Sequence, residues 1–298
     1  EKGLDIKPKL TAFAYPLCRI KERKGSFLGL GGKENVLFIG TEDQYSPIGS
    51  SSHQGADFYD PKENTFGMVA VSEEKFKDFN ITKVIFDISA DGTVDIENED
   101  IIYGSAVGSF RKRYKEILPE DLKRHYRSLV CDFSQAAVAK GELQFDTEGY
   151  PAKRTFALQA KDFAQVSGDT ILIELPQLPC SIAQLEDIRR KTPLRVSACD
   201  DTEYKYIVKF PPGYTEIEAS PGNFDIGPEK NNKKWMKQEV HSDVLDGRLV
   251  LTVSRRIYSR ECEVDPPTMA GSLFGWKNIS QSRASRTVIV RKTRKASK

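Results

Sequence analysis

Apolar and polar residues alternate along much of this 298-residue chain, which is the pattern of half-buried β-strands. In the segment KVIFDISADGTVDIEN, apolar residues take every second position from Val84 to Ile88, Asp91-Gly92 supplies turn residues, and the alternation resumes at Val94. This segment predicts a β-hairpin. Further strands are predicted in TAFAYPLCRI, VLFIG, FGMVAV, GELQFD, KRTFALQA, DTILIEL, EYKYIVKF, GRLVLTVSRRIYSRE and RTVIVRK, whereas residues 50–65 resemble a loop.

Between residues 105 and 131 the apolar period becomes that of a helix. Pro119 divides the segment, and proline is favourable at the first position of a helix. We predict two consecutive helices whose stripes pack on a sheet. The basic cluster Arg111, Lys112, Arg113 and Lys115 is interpreted as a solvated helix face rather than a phosphate site. The stripes are Val107, Phe110, Tyr114, Ile117 and Leu118, followed by Leu122, Tyr126, Leu129 and Val130.

These patterns predict an α+β fold that is mainly β. Antiparallel β-rich domains are expected, with the two helices in the middle domain and a β-sandwich-like domain at the C-terminus. The predicted limits are 1–80, 81–194 and 195–298, and the second boundary is placed in the proline-punctuated segment 178–203. A short helix is expected in the last domain after Thr268, a residue suited to the N-cap, with Met269, Leu273, Trp276 and Ile279 on one face.

Charge and length of apolar runs exclude two classes of partner. The net charge is +2, so no global field attracts nucleic acid. The C-terminal run RASRTVIVRKTRKASK is basic but lacks interleaved aromatic residues, and we interpret it as a last strand with a solvated tail. No transmembrane segment is expected, because no apolar run reaches the roughly 18 residues of a membrane span. A leader is expected to have been removed before Glu1, or the chain is a piece of a longer protein.

Motifs for catalysis, metal binding and cofactor binding are not found in the sequence. There is no GxSxG elbow and no CxxC pair, and the three histidines are far apart. The glycine-rich segment GSFLGLGG has Phe27 where a phosphate loop requires glycine, and it predicts a hairpin or bulge. We therefore predict no catalytic, cofactor-binding or metal-binding residues. The five cysteines do not indicate a disulfide framework.

Two weaker hypotheses name particular residues. A thiol nucleophile with its base and orienting acid could be formed by Cys18, His53 and Asp60, but the apolar surroundings of Cys18 predict a buried, inert cysteine. Exposed aromatic residues could form a surface on which sugars stack, although aromatic residues at strand or helix spacing are more often core residues. The aromatic candidates are Trp235, Trp276, Tyr204 and Tyr214.

Residues 81–292 resemble the C-terminal half of a bacterial cell-envelope family. Its members carry a transglutaminase-like, papain-fold core between β-rich domains of unknown function. The resemblance lies in the order and spacing of several stretches rather than in one motif. They are IFDISADGTVDIEN, GSAVGSFRKRYKEILPEDLKRHYRSLV, AQVSGDTILIELP, RKTPLR, EYKYIVKFPPGYTEIEASPGNFDI, GRLVLTVSRRIYSREC, a final helix and RTVIVRK.

The stretch VLFIGTEDQYSPIG is similar to the end of that family's core, which leaves through a Tyr-x-Pro-x-Gly turn. Tyr45, Pro47 and Gly49 match the turn, and Asp43 matches its second acid. Gly40 falls where the family has the acid that orients the catalytic histidine. The stretch is therefore either the tail of a core without its chemistry, or part of an unrelated β-rich domain.

From this resemblance we expect a non-catalytic accessory or binding region of an exported bacterial protein, periplasmic or at the cell surface. Its partner would be a polysaccharide, an envelope protein or the missing N-terminal part of its own chain, and not nucleic acid. A cysteine-type transglutaminase-like or peptidase-like enzyme is the alternative. A large exposed apolar patch within residues 1–80 would favour docking on another domain.

Overall fold

The structure is a computed structural model that describes residues 17–23, 34–40, 44–50, 53, 56–69, 76–161, 163–177, 191–196, 199–226, 236–259, 262–264, 267 and 283–293. Two α-helices, α1 (Ala106–Glu116) and α2 (Pro119–Cys131), lie among eighteen strands in the described parts. The strands are β1 (Leu17–Arg23), β2 (Glu34–Gly40), β3 (Asp57–Asp60), β4 (Thr65–Met68), β5 (Phe79–Ile88), β6 (Val94–Ile102), β7 (Val138–Asp146), β8 (Ala152–Ala160), β9 (Gln165–Ser167), β10 (Thr170–Glu174), β11 (Leu194–Val196), β12 (Cys199–Lys209), β13 (Tyr214–Ala219), β14 (Phe224–Ile226), β15 (Met236–Leu245), β16 (Arg248–Ser259), β17 (Cys262–Val264) and β18 (Thr287–Lys292). The fold is mainly β, as predicted.

The chain forms two compact units. The first comprises Glu1–Asp78, Ile102–Ile117 and Thr147–Ala152, and the second comprises Phe79–Ile101, Leu118–Asp146 and Lys153–Lys298. The predicted limit at residue 80 lies close to the first boundary between the units, whereas the predicted limit at residue 194 lies inside the second unit. Most of the predicted boundary segment, 178–190, lies outside the described residues.

The first unit contains two antiparallel strand pairs, β1 with β2 and β3 with β4. β4 overlaps the strand predicted in FGMVAV, whereas β3 falls in the predicted loop 50–65, because the surrounding residues are mainly polar. The two strands form a hairpin. Its inner face holds Phe58, whose ring lies 4.9 Å from that of the buried Phe38. Its outer face exposes Phe66 and Met68.

The second unit is built on two sheets. An eight-stranded sheet has the order β14-β15-β16-β12-β5-β6-β8-β7, and a four-stranded sheet has the order β13-β18-β10-β9. All sheet pairings that we describe are antiparallel except that of β5 with β12. One contiguous core draws residues from both sheets, including Phe86 and Val208 from the large sheet and Ile173 and Val290 from the small one. The predicted sandwich therefore uses strands from before and after residue 194.

The predicted hairpin is confirmed as β5 and β6. Val84, Phe86 and Ile88 are buried, and the alternation of β6 buries Val94 and Ile96 in turn. Gly92 turns the chain with a φ of +89°, and a Cβ atom there would lie 2.4 Å from the carbonyl oxygen of Ala164. The turn therefore requires glycine for its backbone conformation and for the close approach of a neighbouring segment.

Both predicted helices exist, but they belong to different compact units, α1 to the first and α2 to the second. Phe110 and Tyr114 are buried as predicted, and Val130 of α2 joins the core. Leu118 is 66% exposed, because it precedes α2 as its N-cap in extended conformation and does not continue the stripe of α1. Leu122 and Tyr126 are half-buried rather than buried. The predicted helix after Thr268 lies outside the described residues.

The predicted C-terminal strands are confirmed. β12 buries Tyr206 and Val208, the turn after Pro211 closes with a hydrogen bond from Tyr214 N to Pro211 O, and β18 buries Val288 and Val290. β18 lies between β13 and β10, so it is a central strand of the small sheet.

Candidate functional site

The core face of the large sheet becomes polar at one end. Because strand side chains alternate, Thr82 of β5 lies on the same face as Val84, and Arg255 of β16 lies on the same face as Val253. Register places Tyr204 opposite both, since it pairs with Thr82 and with Arg255. Side-chain contacts extend this polar row across six strands: Arg154, Asp100, Thr82, Tyr204, Arg255 and Gln238.

At one end of the polar row, Asp100 has a full set of partners. Arg154 donates to its Oδ2 from Nε at 2.9 Å and from Nη2 at 2.5 Å, and Asn98 donates to the same oxygen at 3.0 Å. The hydroxyl of Thr82 donates to Oδ1 at 2.8 Å. Burial, and secondarily the charge of Asp100, raises the pKa of Tyr204. The satisfied carboxylate indicates a structural role for this end of the row.

At the other end, Arg255 joins three separate segments. Its guanidinium donates to Gln238 Oε1 at 2.6 Å, to Pro176 O at 3.0 Å and to Ser285 O at 2.9 Å. It also lies 5.2 Å from the centre of the Tyr206 ring. Burial lowers the pKa of Arg255 and raises the pKa of Tyr206 to about 12. Two of the three acceptors, Pro176 O and Ser285 O, are backbone oxygens beside a pocket.

That pocket lies where α2 ends and the small sheet begins, and we call it the helix-end pocket. Its volume is about 380 Å³. The rings of Phe133 and Phe163 are fixed from behind by Phe86, whose ring centre lies 6.4 Å from that of Phe133 and 5.9 Å from that of Phe163. Beside the rings stand amide, carboxylate and guanidinium groups. The lining comprises Asp132, Phe133, Phe163, Gln165, Leu172, Glu174, Leu175, Pro176, Gln177, Arg283 and Arg286.

Glu174 holds two arginines at the rim of the helix-end pocket. Arg283 lies 3.0 Å from its Oε1 and Arg286 lies 3.4 Å from its Oε2. Arg291 forms an ion pair with Glu218. Arg286 and Arg291 belong to the predicted last strand or lie directly before it, and acids from other strands, which the local sequence does not show, pair with them. Most of the predicted solvated tail, 294–298, lies outside the described residues.

A second depression lies on the opposite, solvent-facing side of the large sheet, with a volume of about 370 Å³. A β-bulge shapes it, since residues 141–143 of β7 stand opposite Phe156 alone. At its margin Asp95 accepts from Gln159 at 2.8 Å and pairs with Lys140 at 3.0 Å, and these contacts lower the pKa of Asp95. This sheet groove is lined by Lys83, Ile85, Glu97, Asn98, Glu99, Lys140, Gly141, Glu142, Gln144, Thr155, Phe156 and Ala157.

The candidate triad receives no support from the geometry. Cys18 is exposed, so the expectation that it is buried is wrong; it shares its face of β1 with Ile20, which is also exposed. Its neighbour Arg19 pairs with Asp60 at 2.9 Å, and alternation turns Cys18 to the other face of β1. Both oxygens of Asp60 are engaged, one by Arg19 and one by the backbone N–H groups of Lys62 and Glu63.

The Tyr-x-Pro-x-Gly turn is anchored to α1 within the first unit. Arg111 donates to the carbonyl oxygens of Tyr45, Glu148 and Gly149 at 3.1–3.2 Å, and the Tyr45 hydroxyl donates to Glu116 at 3.1 Å. Arg111 is half-buried, which corrects the prediction that it faces solvent. These backbone acceptors cannot be predicted from the residues around Arg111, because they lie on loops distant in sequence.

The remaining hypotheses from the sequence concern a sugar-stacking aromatic surface, a metal site and a membrane span. Tyr214 is 1% exposed and Tyr204 packs on the core, so neither offers a sugar-stacking surface, while Trp235 and Trp276 lie outside the described residues. In the described part of the chain, no group of three or more His, Cys, Asp or Glu is arranged to hold a metal ion. The described helices include none that is long and apolar enough to cross a membrane.

Comparison of the chain with protein-family models, with curated proteins and with solved structures gives no match. The resemblance to the transglutaminase-like envelope family therefore remains a prediction.

Proposed function

We propose that this chain is a non-catalytic binding region of an exported bacterial protein, and that the helix-end pocket receives a short segment of a polysaccharide. The observation that carries the proposal is the combination, in one pocket, of fixed aromatic rings with planar hydrogen-bonding groups. A pocket of about 380 Å³ falls within the roughly 300–1,000 Å³ typical of small-ligand sites.

The chemistry of the lining suits a sugar. The apolar face of a pyranose ring packs on an aromatic side chain, here Phe133 or Phe163, both of which are half-buried. Its hydroxyl groups need both donors and acceptors, and Gln165 and Gln177 offer both on each amide. None of the lining residues is a serine, cysteine, histidine or threonine, so the pocket has no side-chain hydroxyl or thiol nucleophile.

The proposal is tested by titration calorimetry of the full chain with soluble trisaccharides, one neutral and one built from hexuronic acids. The double variant Gln165→Ala/Gln177→Ala should bind about tenfold more weakly, since each lost hydrogen bond contributes about 0.5–1.5 kcal/mol. Gln144→Ala, in the sheet groove, is the matched control and should leave binding unchanged.

Two results would contradict the assignment. If Gln144→Ala weakens binding while the double variant does not, the sheet groove is the site. If neither trisaccharide binds the full chain, the proposed function is wrong.

A further inference from the structure

Arg255 is a buried cation that has only neutral partners. Arg255 is 2% exposed. Its guanidinium donates to the amide oxygen of Gln238 and to the backbone carbonyl oxygens of Pro176 and Ser285. Among the described residues, no carboxylate contacts its guanidinium. Buried charges in proteins are normally balanced by an opposite charge, because hydrogen bonds to neutral groups restore only part of the lost hydration. The positive potential of Arg255 is therefore available to its surroundings.

The surroundings in question are the helix-end pocket. Pro176 lines the pocket, and Ser285 lies between the two lining residues Arg283 and Arg286. The pocket lining contains two arginines, Arg283 and Arg286, and two carboxylates, Asp132 and Glu174. Arg255 is not part of the lining, but it lies behind it, donating to Pro176 O and Ser285 O. The four charges of the lining balance one another, so the buried charge of Arg255 behind the lining leaves a net positive charge among the described groups around the pocket.

Arg283 is the arginine best placed to meet a ligand. It touches Glu174 through a single nitrogen, Nη2, and its side chain is 78% exposed. Since a guanidinium carries five N–H donors in a planar fork, most of its donors remain accessible. A carboxylate is the acceptor that matches this fork, because two parallel hydrogen bonds can form at once.

We propose that the ligand of the helix-end pocket carries a carboxylate, as a hexuronic acid unit does, and that Arg283 recognises that group. This inference rests on the proposed function and narrows the ligand class from polysaccharides to acidic polysaccharides. Arg286 and Arg255 supply the surrounding positive potential, while the aromatic rings hold the sugar face.

The experiment compares a hexuronic acid trisaccharide with its carboxyl-reduced neutral counterpart, by calorimetry on the full chain. The acidic probe should bind about tenfold more tightly, and its affinity should fall as sodium chloride is added. Arg283→Gln should remove this preference and leave the affinity of the neutral probe unchanged. Arg124→Gln is the control, since Arg124 is equally exposed and pairs with Asp121 on α2.

Equal affinities for the two probes would overturn the inference, as would an Arg283→Gln variant that weakens both probes alike. An effect of Arg124→Gln as large as that of Arg283→Gln would overturn it too. If only the neutral probe binds, the proposed function stands and this inference fails. If neither binds, both fail.

Discussion

Replacing Arg255 with methionine tests whether a buried cation with neutral partners stabilises this fold. Methionine keeps an unbranched apolar stem of similar path but removes the guanidinium. Three acceptors then lose their donor: Gln238 Oε1, Pro176 O and Ser285 O. Arg255 also joins β15 and β16 to the segment that follows β10 and to the segment that precedes β18. Since β10 and β18 belong to the small sheet, the change should affect both sheets of the second unit.

Two opposing effects determine the magnitude. Hydrogen bonds from a charged donor contribute about 1.5–3 kcal/mol each, and the contact with the Tyr206 ring adds about 2 kcal/mol when desolvated. Against this, burial of the guanidinium costs several kcal/mol, which methionine would relieve. We expect the hydrogen bonds to win, because all three acceptors would remain in a confined space, and the variant to lose about 2–4 kcal/mol of unfolding free energy.

Urea denaturation followed by circular dichroism measures the difference, with the slope of the transition checked for constancy. Arg256→Met is the matched control: its side chain is 51% exposed and pairs with Asp201, and it should lose less than about 1 kcal/mol. If Arg255→Met loses less than about 1 kcal/mol or gains stability, the cost of burying the charge exceeds the value of its contacts, contrary to this prediction.

Three further changes probe the fold. Phe110→Ala should lose about 3–5 kcal/mol in the same assay, since the ring is 8% exposed, and a loss below about 1 kcal/mol would show that the stripe of α1 is not in a packed core. Gly92→Ala should lower the thermal midpoint, because a Cβ atom would meet Ala164 O at 2.4 Å; an unchanged midpoint would mean that the hairpin turn can rearrange. The folded-state pKa of Tyr206, about 12, exceeds the ordinary value of 10, so the unfolded chain loses this proton first and stability should fall between pH 10 and pH 12. Tyr206→Phe should reduce that fall, and denaturation midpoints for both proteins that decline equally would contradict the assignment.

Local sequence patterns predicted much of the fold because they report burial directly. Period-two alternation identified β5, β6, β12, β16 and β18, and helical stripes identified α1 and α2. The pattern failed for β3, which lies in the mainly polar stretch 50–65. It also could not show that β5 pairs in parallel with β12, since partners distant in sequence are chosen by the packing of the whole core.

The pocket was missed for a related reason. Its lining comes from the end of α2, from β9 and β10, and from the segment before β18, which are separated by many residues. Glu174 and Arg286 are ordinary strand-end residues in the sequence, and only the antiparallel pairing of β10 with β18 brings them together.

The sequence does contain a signal for the buried polar row. On a strand, every second residue points inward, so a residue's parity relative to the apolar positions shows which face it lies on. Along β16 the inward positions are Leu249, Leu251 and Val253, and the next position of the same parity is Arg255, while Arg256 falls on the outer face. The two arginines are adjacent and chemically identical, yet one is 2% exposed and the other forms a surface ion pair. A polar residue that continues an apolar alternation without a change of phase should therefore be read as buried and in need of partners. Thr82 has the same parity as the buried Val84 on β5, and Asp100 has the same parity as the buried Ile96 on β6. Both follow this rule, and the Thr82 hydroxyl donates to Asp100 in the structure. Parity alone indicates that Arg255 is inside the fold, and the structure adds that its partners are neutral.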